Sequence, residues 1–223
     1  MDRPAIVERL LAAGAKMEAV DSFGETALFL ANTPPLVQPY IKHRADLNHR
    51  SSAGKTPLIS ALYHGWSDAA LVLIDHGADV SAQDNDGATP LLVAAAYGSE
   101  DVVTRLLHEG ADVNHTTTSG RSALLTAVYT GQTNAAKLLL DAGADANVQD
   151  QTSGDSALHY CAVDGYLDIA VVLLAHGADP NLRNHAGATP LQKGQAYSPY
   201  PGRVSRETDK AGVLALLKSK EKP

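Results

Sequence analysis

Six glycines recur along this chain at nearly constant intervals, and this regularity limits the folds that the sequence can adopt. They are Gly24, Gly54, Gly87, Gly120, Gly154 and Gly187, separated by 30, 33, 33, 34 and 33 residues. A period of this length is the signature of repeat architectures, in which each unit buries its apolar face against its neighbours. The sequence therefore predicts a stack of similar units.

Each unit contains the start and stop signals of two short helices. Thr56-Pro57 and Thr89-Pro90 place a hydroxyl at a helix N-cap and a proline at the first helical position, where no N–H is needed. Ser122 and Ser156 keep the capping hydroxyl without the proline. An Ala-rich first helix and an apolar second helix follow, and a polar loop with room for a tight turn leads to the next cap.

The composition fits a thin core repeated along an axis. Aromatic residues make up 5% of the chain, with one Trp and two Phe, and a stack built from Ala and Leu needs few rings. The single cysteine, Cys161, rules out an intramolecular disulfide and fits a reducing compartment. No segment approaches the roughly 20 apolar residues of a membrane span. We therefore expect a cytoplasmic protein that does not enter membranes.

The charge distribution disfavours nucleic acid as a partner. Residues 1–190 hold 11 Lys and Arg against 22 Asp and Glu, a net charge of −11, whereas residues 191–223 hold 7 against 3, a net charge of +4. A surface that binds nucleic acid needs several cations to displace phosphate counterions. A protein with a basic patch is the partner that the acidic body predicts.

The repeat resembles the ankyrin repeat, whose unit has 33 residues and a Thr-Pro-Leu-His-x-Ala signature. Thr56-Pro57-Leu58 and Thr89-Pro90-Leu91 match its start, while the histidine survives at His159 alone. The resemblance implies an all-α ankyrin-repeat solenoid of stacked helix–turn–helix pairs with β-hairpin-like loops, and a single domain over residues 1–223. We expect an N-terminal half-repeat at 1–20, repeats at 21–50, 51–83, 84–116, 117–150 and 151–183, and a C-terminal capping repeat with a loop insertion at 184–223.

Three features depart from the regular pattern. The first copy is three residues short, and its Pro34, Pro35 and Pro39 predict a short or kinked second helix. The last copy carries a loop from Tyr197 to Arg206 before a final helix near Glu207–Lys218. The N-terminal half-repeat lacks a first helix, so we expect a monomer that can self-associate through apolar surface at this end.

The polar residues favour no enzyme, metal site or cofactor site. His76 and His176 recur in stacked copies, but helices about 8–10 Å apart cannot place both on one ion. The aspartates after each Gly-Ala pair occupy equivalent environments, which favours a role in turn formation over acid–base catalysis. Cys161 lies among small residues of a predicted helix, where a buried thiol is more common than a nucleophile.

The resemblance implies binding through a concave face made of the loops and the ends of the first helices. Tyr63, Tyr97 and Tyr129, at matching places in three successive copies, would form an aromatic stripe there, although each ring could equally serve to cover the next helix pair. The other predicted contact residues are Lys55, His64, Asp86, Arg121, Asp155 and Asp164.

The function predicted from the sequence is that of a non-catalytic scaffold for another protein. Two alternatives stay open at this point. One is a regulatory or inhibitory subunit that occludes a partner enzyme and uses the acidic body against a basic target. The other is an enzyme whose site the sequence patterns do not reveal.

Overall fold

A computed structural model describes residues 3–97, 99–196 and 207–220, and these ranges are helical, with loops between the helices. No strand occurs within them. The α-helices are α1 Arg3–Ala12, α2 Pro34–Lys42, α3 Pro57–Tyr63, α4 Ser67–Asp75, α5 Pro90–Tyr97, α6 Glu100–His108, α7 Ala123–Tyr129, α8 Thr133–Asp141, α9 Ala157–Asp164, α10 Leu167–Ala175, α11 Pro190–Ala196 and α12 Glu207–Lys218. The chain divides into two compact units, and each is described by itself.

Unit 1 comprises residues up to 94 together with 101–112. Its helices pack in pairs, with α3 on α4 and α1 on α2, and α2 also contacts α4. Leu58, Ile59 and Leu73 are fully buried in its core. Burying one such side chain stabilises a fold by about 1.5–3 kcal/mol, so the apolar face of each helix pair holds the unit together.

Unit 2 comprises residues 95–100 and the chain from 113 onward. Helix α9 lies at its centre and packs against α7, α10, α11 and α12. Leu124, Leu158 and Leu173 are almost completely buried there. Small buried residues, such as Ala157 and Ala162, let the helices approach closely, which explains how a core with few aromatic rings can still be well packed.

The predicted helix caps are confirmed. The Thr56 hydroxyl accepts a hydrogen bond from the Ile59 N–H at 3.3 Å, and the Ser122 hydroxyl accepts one from the Leu125 N–H at 3.1 Å. Each bond satisfies one of the N–H groups that a helix start leaves without an intrahelical partner. The Thr and Ser residues at these positions therefore fix where helices α3 and α7 begin.

The aspartates of the Gly-Ala-Asp series stabilise turns, as predicted. The Asp79 carboxylate accepts from the Ser81 N–H at 2.8 Å, and Asp46, Asp145 and Asp179 accept in the same way from the residue two positions later. These contacts are typical of Asx-turns, in which the side chain replaces a backbone partner. The carboxylates are thus used within the loop backbone.

Backbone hydrogen bonds join each loop to the next within a unit. In unit 1 the Asn85 N–H donates to the Ala53 carbonyl at 3.0 Å, and in unit 2 the His185 N–H donates to the Ser153 carbonyl at 2.9 Å. Single antiparallel bridges pair Thr116 with Ser122 and Gln149 with Ser156. The loops are therefore hairpin-like but too short to form ladders.

The first copy differs from the prediction. Its second helix, α2, keeps the nine residues of α4, so it is not short, and Pro39, on which the alternative prediction of a kink rests, lies within it. The three missing residues come from the first helix, which is reduced to a 3₁₀ turn over Ala27–Leu30. Pro34 and Pro35 occupy the first turn of α2, where the missing N–H groups cost nothing.

At the C-terminal end the predicted final helix is confirmed as α12, with the bounds Glu207–Lys218. The predicted loop from Tyr197 to Arg206 lies outside the described residues. None of the helices in the described ranges is long and apolar enough to cross a lipid bilayer.

Candidate protein-binding site

Unit 1 holds a tyrosine in a fixed position beneath a cation. The ammonium of Lys55 lies 4.3 Å from the centroid of the Tyr63 ring. The Tyr63 hydroxyl donates to the Asp84 carboxylate at 3.0 Å, and Asp84 also accepts from the backbone N–H groups of Asp86 and Ala88. The half-buried ring is therefore held at both its face and its edge.

His64 and Asp86 lie beside this pair and are exposed. The His64 ring stacks on Trp66, with centroids 4.5 Å apart and planes inclined by 22°. Its Nδ1 lies 2.8 Å from the Ser60 carbonyl, which places a donated N–H there. Predicted contact residues of unit 1 thus lie in one short stretch of surface, and the His64 ring is oriented by its neighbours.

Unit 2 repeats the cation–tyrosine pair. The Arg121 guanidinium carbon lies 5.1 Å from the centroid of the Tyr129 ring, with the same eight-residue separation as Lys55 and Tyr63. Tyr129 contacts Tyr160 edge to face at 5.7 Å and remains 37% exposed. A cation over an aromatic face contributes about 0.5–1 kcal/mol at an exposed site, so the pair orders both side chains.

A cavity of about 420 Å³ opens beside this second pair. Arg121 and Tyr129 form one wall, Tyr160 and Lys193 form another, and the loop residues Ser119 and Thr152 complete the rim. Cavities of this size accommodate small ligands or a few side chains of a protein partner. The polar lining indicates a ligand that offers hydrogen-bonding groups.

Asp150 closes the floor of the cavity. Its carboxylate accepts from the backbone N–H groups of Thr152, Ser153 and Asp155 and from the hydroxyls of Ser153 and Tyr160, at 2.7–3.1 Å. Burial alone would raise the pKa of Asp150, but these donors outweigh it and lower the pKa to about 2. Burial, followed by the nearby carboxylate of Asp150, raises the pKa of Tyr160.

Asp155 lies behind this floor and forms an ion pair with Lys193. Its carboxylate also accepts from the Asn184 amide at 2.8 Å and the Ser153 hydroxyl at 2.7 Å. Burial acts to raise the pKa of Asp155, but Lys193 and these donors lower it. Asp155 is 2% exposed, so its carboxylate orders the wall and does not reach the molecular surface.

His159 ties this region to the last copy. Its buried ring accepts at Nδ1 from the Ser156 N–H at 3.1 Å, and Nε2 lies 2.9 Å from the Ala188 carbonyl. These partners assign the neutral tautomer with the proton on Nε2, since a carbonyl can only accept. Burial lowers the pKa of His159, which is consistent with a neutral ring.

The helix pairs, caps and hairpin-like loops described above coincide with a known family. A family model described as ankyrin repeats in three copies matches residues 31–117 and 106–184. The chain belongs to the ankyrin repeat family. Ankyrin repeats generally mediate protein–protein interaction and are generally not catalytic. The family assignment made from the sequence is confirmed.

Solved structures agree with this assignment. The ankyrin repeat domain of Bcl-3, described as a unique member of the IkappaB protein family, is 29% identical with a TM-score of 0.74, over 96% of this chain and 91% of that chain. An ankyrin repeat domain from Acinetobacter baumannii is 30% identical with a TM-score of 0.72, over 80% of this chain and 94% of that chain. That of human ASB11 has a TM-score of 0.80 at 23% identity, over 99% and 94% of the two chains, and shows the fold. The predicted all-α ankyrin-repeat solenoid is confirmed.

One curated relative matches over a short stretch. The bovine protein named inactive serine/threonine-protein kinase TEX14 is 40% identical over 62 residues, which is 26% of this chain and 4% of that protein. The present chain thus spans a small fraction of that relative's length.

The two remaining predicted contact residues, Tyr97 and Asp164, differ in exposure: the first is exposed and the second is buried. Tyr97, at the end of α5, is 55% exposed. It lies ten residues after its turn glycine, whereas Tyr63 and Tyr129 lie nine after theirs, so the positions do not match as expected. One residue turns a helix by about 100°, which changes the direction of the ring. Asp164 is 3% exposed within α9 and cannot touch a partner directly.

Sequence reasoning missed the residues that build the cavity walls. Tyr160 and Lys193 each lie six residues after a turn glycine, the ankyrin position that Ser60 and Thr126 occupy in other copies. The change from a small hydroxyl to a large or charged side chain in the last two copies was the available signal. Comparing the copies position by position at the first helix would have revealed it.

Two further placements bear on chemistry. Cys161 is buried, and its pKa is raised by burial and then by the charge of Asp164, so its thiol is not poised as a nucleophile. Across the described parts of the chain, no three His, Cys, Asp or Glu side chains lie close enough together to hold a metal ion.

Proposed function

We propose that this protein is a non-catalytic binding module that holds another protein against the surface formed by its loops and first helices. The observation that carries the proposal is the repeated cation–tyrosine pair, Lys55 over Tyr63 in unit 1 and Arg121 over Tyr129 in unit 2. Both pairs belong to the loops and first helices, through which the resemblance to ankyrin repeats implies binding. Tyrosine and arginine are enriched among the residues that dominate binding energy.

The ordering of these side chains supports the proposal. Tyr63 is fixed by Lys55 and Asp84, and Tyr129 by Arg121 and Tyr160. Immobilising a flexible side chain at an interface costs about 0.5–1.5 kcal/mol, so side chains that are ordered before binding avoid part of that cost. The contact with Tyr160 also covers the next helix pair, and a ring that is 37% exposed can serve both purposes.

The proposed setting follows from charge and exposed apolar surface. We take the protein to act in the cytoplasm as a monomer, and the acidic body to favour a partner with a basic patch. Helix α1 buries none of its side chains, and Ile6 and Leu10 are 42% and 56% exposed. Self-association at high concentration would use this end.

A second candidate function is inhibition of an enzyme by occlusion. It is favoured by the net charge of −11 over residues 1–190, which would steer the module toward a basic active-site rim. Because exposed charges are screened beyond about 8 Å at physiological salt, such binding would weaken steeply as salt rises. A binding constant that changes little with salt would contradict the inhibitory reading.

The proposed function is tested by capture of partners from a lysate of the source cells. The wild type is compared with the triple variant Tyr63→Ala/Tyr97→Ala/Tyr129→Ala and with Val171→Ala, which removes an exposed apolar group from helix α10. We expect a protein that binds the wild type and Val171→Ala and is lost with the triple variant. Capture that survives the triple variant, with folding verified by circular dichroism, would refute the proposal.

A further inference from the structure

The charges around the cavity of unit 2 indicate what kind of side chain it accepts. Both of its carboxylates are engaged internally: Asp150 by five donors, and Asp155 by Lys193, Asn184 and Ser153. Asp150 is 7% exposed and Asp155 is 2% exposed. A lysine or arginine entering the cavity would therefore meet carboxylates whose oxygens already accept internal hydrogen bonds.

Arg121 is the exposed charge of this cavity. Its guanidinium rests over the Tyr129 ring and forms no ion pair within the described residues. A guanidinium that uses its face against an aromatic ring keeps its edge N–H groups for an acceptor, and those N–H groups match the two oxygens of a carboxylate. The edge contact between Tyr129 and Tyr160 holds the platform in place.

The rim supplies further donors. Ser119 and Thr152 are exposed loop residues that line the same cavity as Arg121, and their hydroxyls can donate to an anion. An apolar side chain in this position would remove water from the guanidinium without replacing its hydrogen bonds, which is unfavourable. The lining thus selects against cationic and apolar side chains and favours an anionic one.

We propose that this cavity receives the carboxylate of an aspartate or glutamate from an acidic, extended segment of the partner protein, with Arg121 as the anchor. The inference rests on the proposed function and names the partner chemistry at one point of that surface. Of the carboxylates that line the cavity, Asp155 is paired with Lys193 and Asp150 is held by internal hydrogen bonds, while charges farther away than about 8 Å are screened at physiological salt, so the direct contact with Arg121 outweighs the acidic body.

The probe is a short capped alanine peptide with one central glutamate, added to the ¹⁵N-labelled full chain. We expect saturable shifts of the amide signals of Ser119, Arg121 and Thr152, with a dissociation constant on the order of millimolar for a single charged contact. Replacement of the glutamate by glutamine should weaken binding roughly tenfold or more, since the charge-assisted bonds are lost.

Protein variants locate the effect. Arg121→Gln removes the cation from an exposed position and should weaken binding of the glutamate peptide by about tenfold, whereas Arg121→Lys should weaken it less. Lys137→Gln, which removes an exposed cation from α8 of the same unit, is the matched control and should leave the signals of Ser119 and Thr152 responsive. Circular dichroism spectra that match the wild type establish that each variant is folded.

Several outcomes would overturn the inference. These are equal binding of the glutamate and glutamine peptides, an unchanged response in Arg121→Gln, and preference for a peptide with a central lysine. If a phosphoserine peptide binds about tenfold more tightly than the glutamate peptide, the occupant of the cavity is a phosphorylated segment and the proposed carboxylate is wrong. Loss of capture in the tyrosine triple variant with full capture by Arg121→Gln would refute the acidic anchor and leave the proposed function intact.

Discussion

The first and fifth copies follow the same repeat pattern, but their first helices make very different numbers of polar contacts. In the fifth copy, Ser156 and His159 form a reciprocal capping box, and Asp155 pairs with Lys193 in the interior. In the first copy, Thr26 makes no side-chain capping bond, and Phe29 stands where the family has histidine. The first helix there is a single 3₁₀ turn.

The difference shows that regular sequence spacing does not imply uniform stability. In a repeat protein the stability is close to a sum of the stabilities of single repeats and the interfaces between neighbours. The fifth copy has its polar groups fixed by hydrogen bonds, whereas the first copy leaves Phe23 and Leu30 69% and 71% exposed. Local opening is therefore expected to be easier in the first copy.

The largest effect is expected when the buried ion pair is broken. Lys193→Met leaves the Asp155 carboxylate buried without its cation and should lower the free energy of unfolding by about 3–5 kcal/mol, measured by urea denaturation. The matched change in the N-terminal region, Lys42→Met, breaks the exposed pair with Glu8 and should have little effect.

A second substitution distinguishes the lost pair from a general packing defect. If the buried charge is the cause, Asp155→Asn added to Lys193→Met should recover much of the loss, because no unpaired charge then remains. Equal losses in Lys193→Met and Lys42→Met would show that the interior pair contributes no more to stability than a surface pair.

A smaller effect is expected from the carboxylate that closes the cavity floor. Because the pKa of Asp150 is lowered from 3.8 to about 2 in the folded state, the unfolded chain binds a proton more readily at acidic pH. The stabilisation is complete above about pH 5 and is lost as the pH falls through about 4 towards 2. After allowance for solvent screening, it is about 1–2 kcal/mol.

This contribution is measured by urea unfolding of the wild type and Asp150→Asn at about pH 5 and at about pH 2.5. Asp150→Asn should be less stable than the wild type at the higher pH and should lose less stability on acidification. Glu8→Gln is the control from the N-terminal region, where Lys42 and His43 lower the pKa of an exposed carboxyl group. A profile for Asp150→Asn that parallels the wild type would contradict the assigned role.

Much of the fold could be predicted because it depends on local chemistry that recurs. The capping hydroxyls, the first-turn prolines and the turn aspartates act within a few residues of their own position, so spacing alone reveals them. The shortened first helix was harder, because a deletion of three residues can be absorbed by either helix. Pro34 and Pro35 decide it, since they are favourable at the start of α2 and would interrupt a helix that ran into them.

The candidate site was predictable in part. Arg121 and Tyr129 were both predicted from the sequence as contact residues, and in the structure the Arg121 guanidinium lies over the Tyr129 ring. Asp155, in a loop, and Asp164, at the end of α9, were expected on the binding surface but are buried, because the sequence does not show which polar residues turn inward. The partner of Asp155 is 38 residues away in the next copy, a separation that no local pattern encodes.

The smallest effect is expected from a backbone position at which the first copy departs from the others. Arg44 has a φ of 62°, at the place where Gly143 has a φ of 90°. A side chain costs about 1–2 kcal/mol in this left-handed conformation, and glycine loses more entropy on folding, so Arg44→Gly should stabilise by about 0.5–1 kcal/mol. The reverse change, Gly143→Arg, should destabilise by about 1 kcal/mol, because a Cβ there would meet no neighbouring atom within 4 Å and only the backbone strain is added.

Thermal melts should show opposite shifts of about 2–4 °C. Arg44→Ala keeps the strain while removing the charge and should leave the melting temperature unchanged. A similar rise in Arg44→Ala would assign the effect to the arginine side chain and not to the backbone.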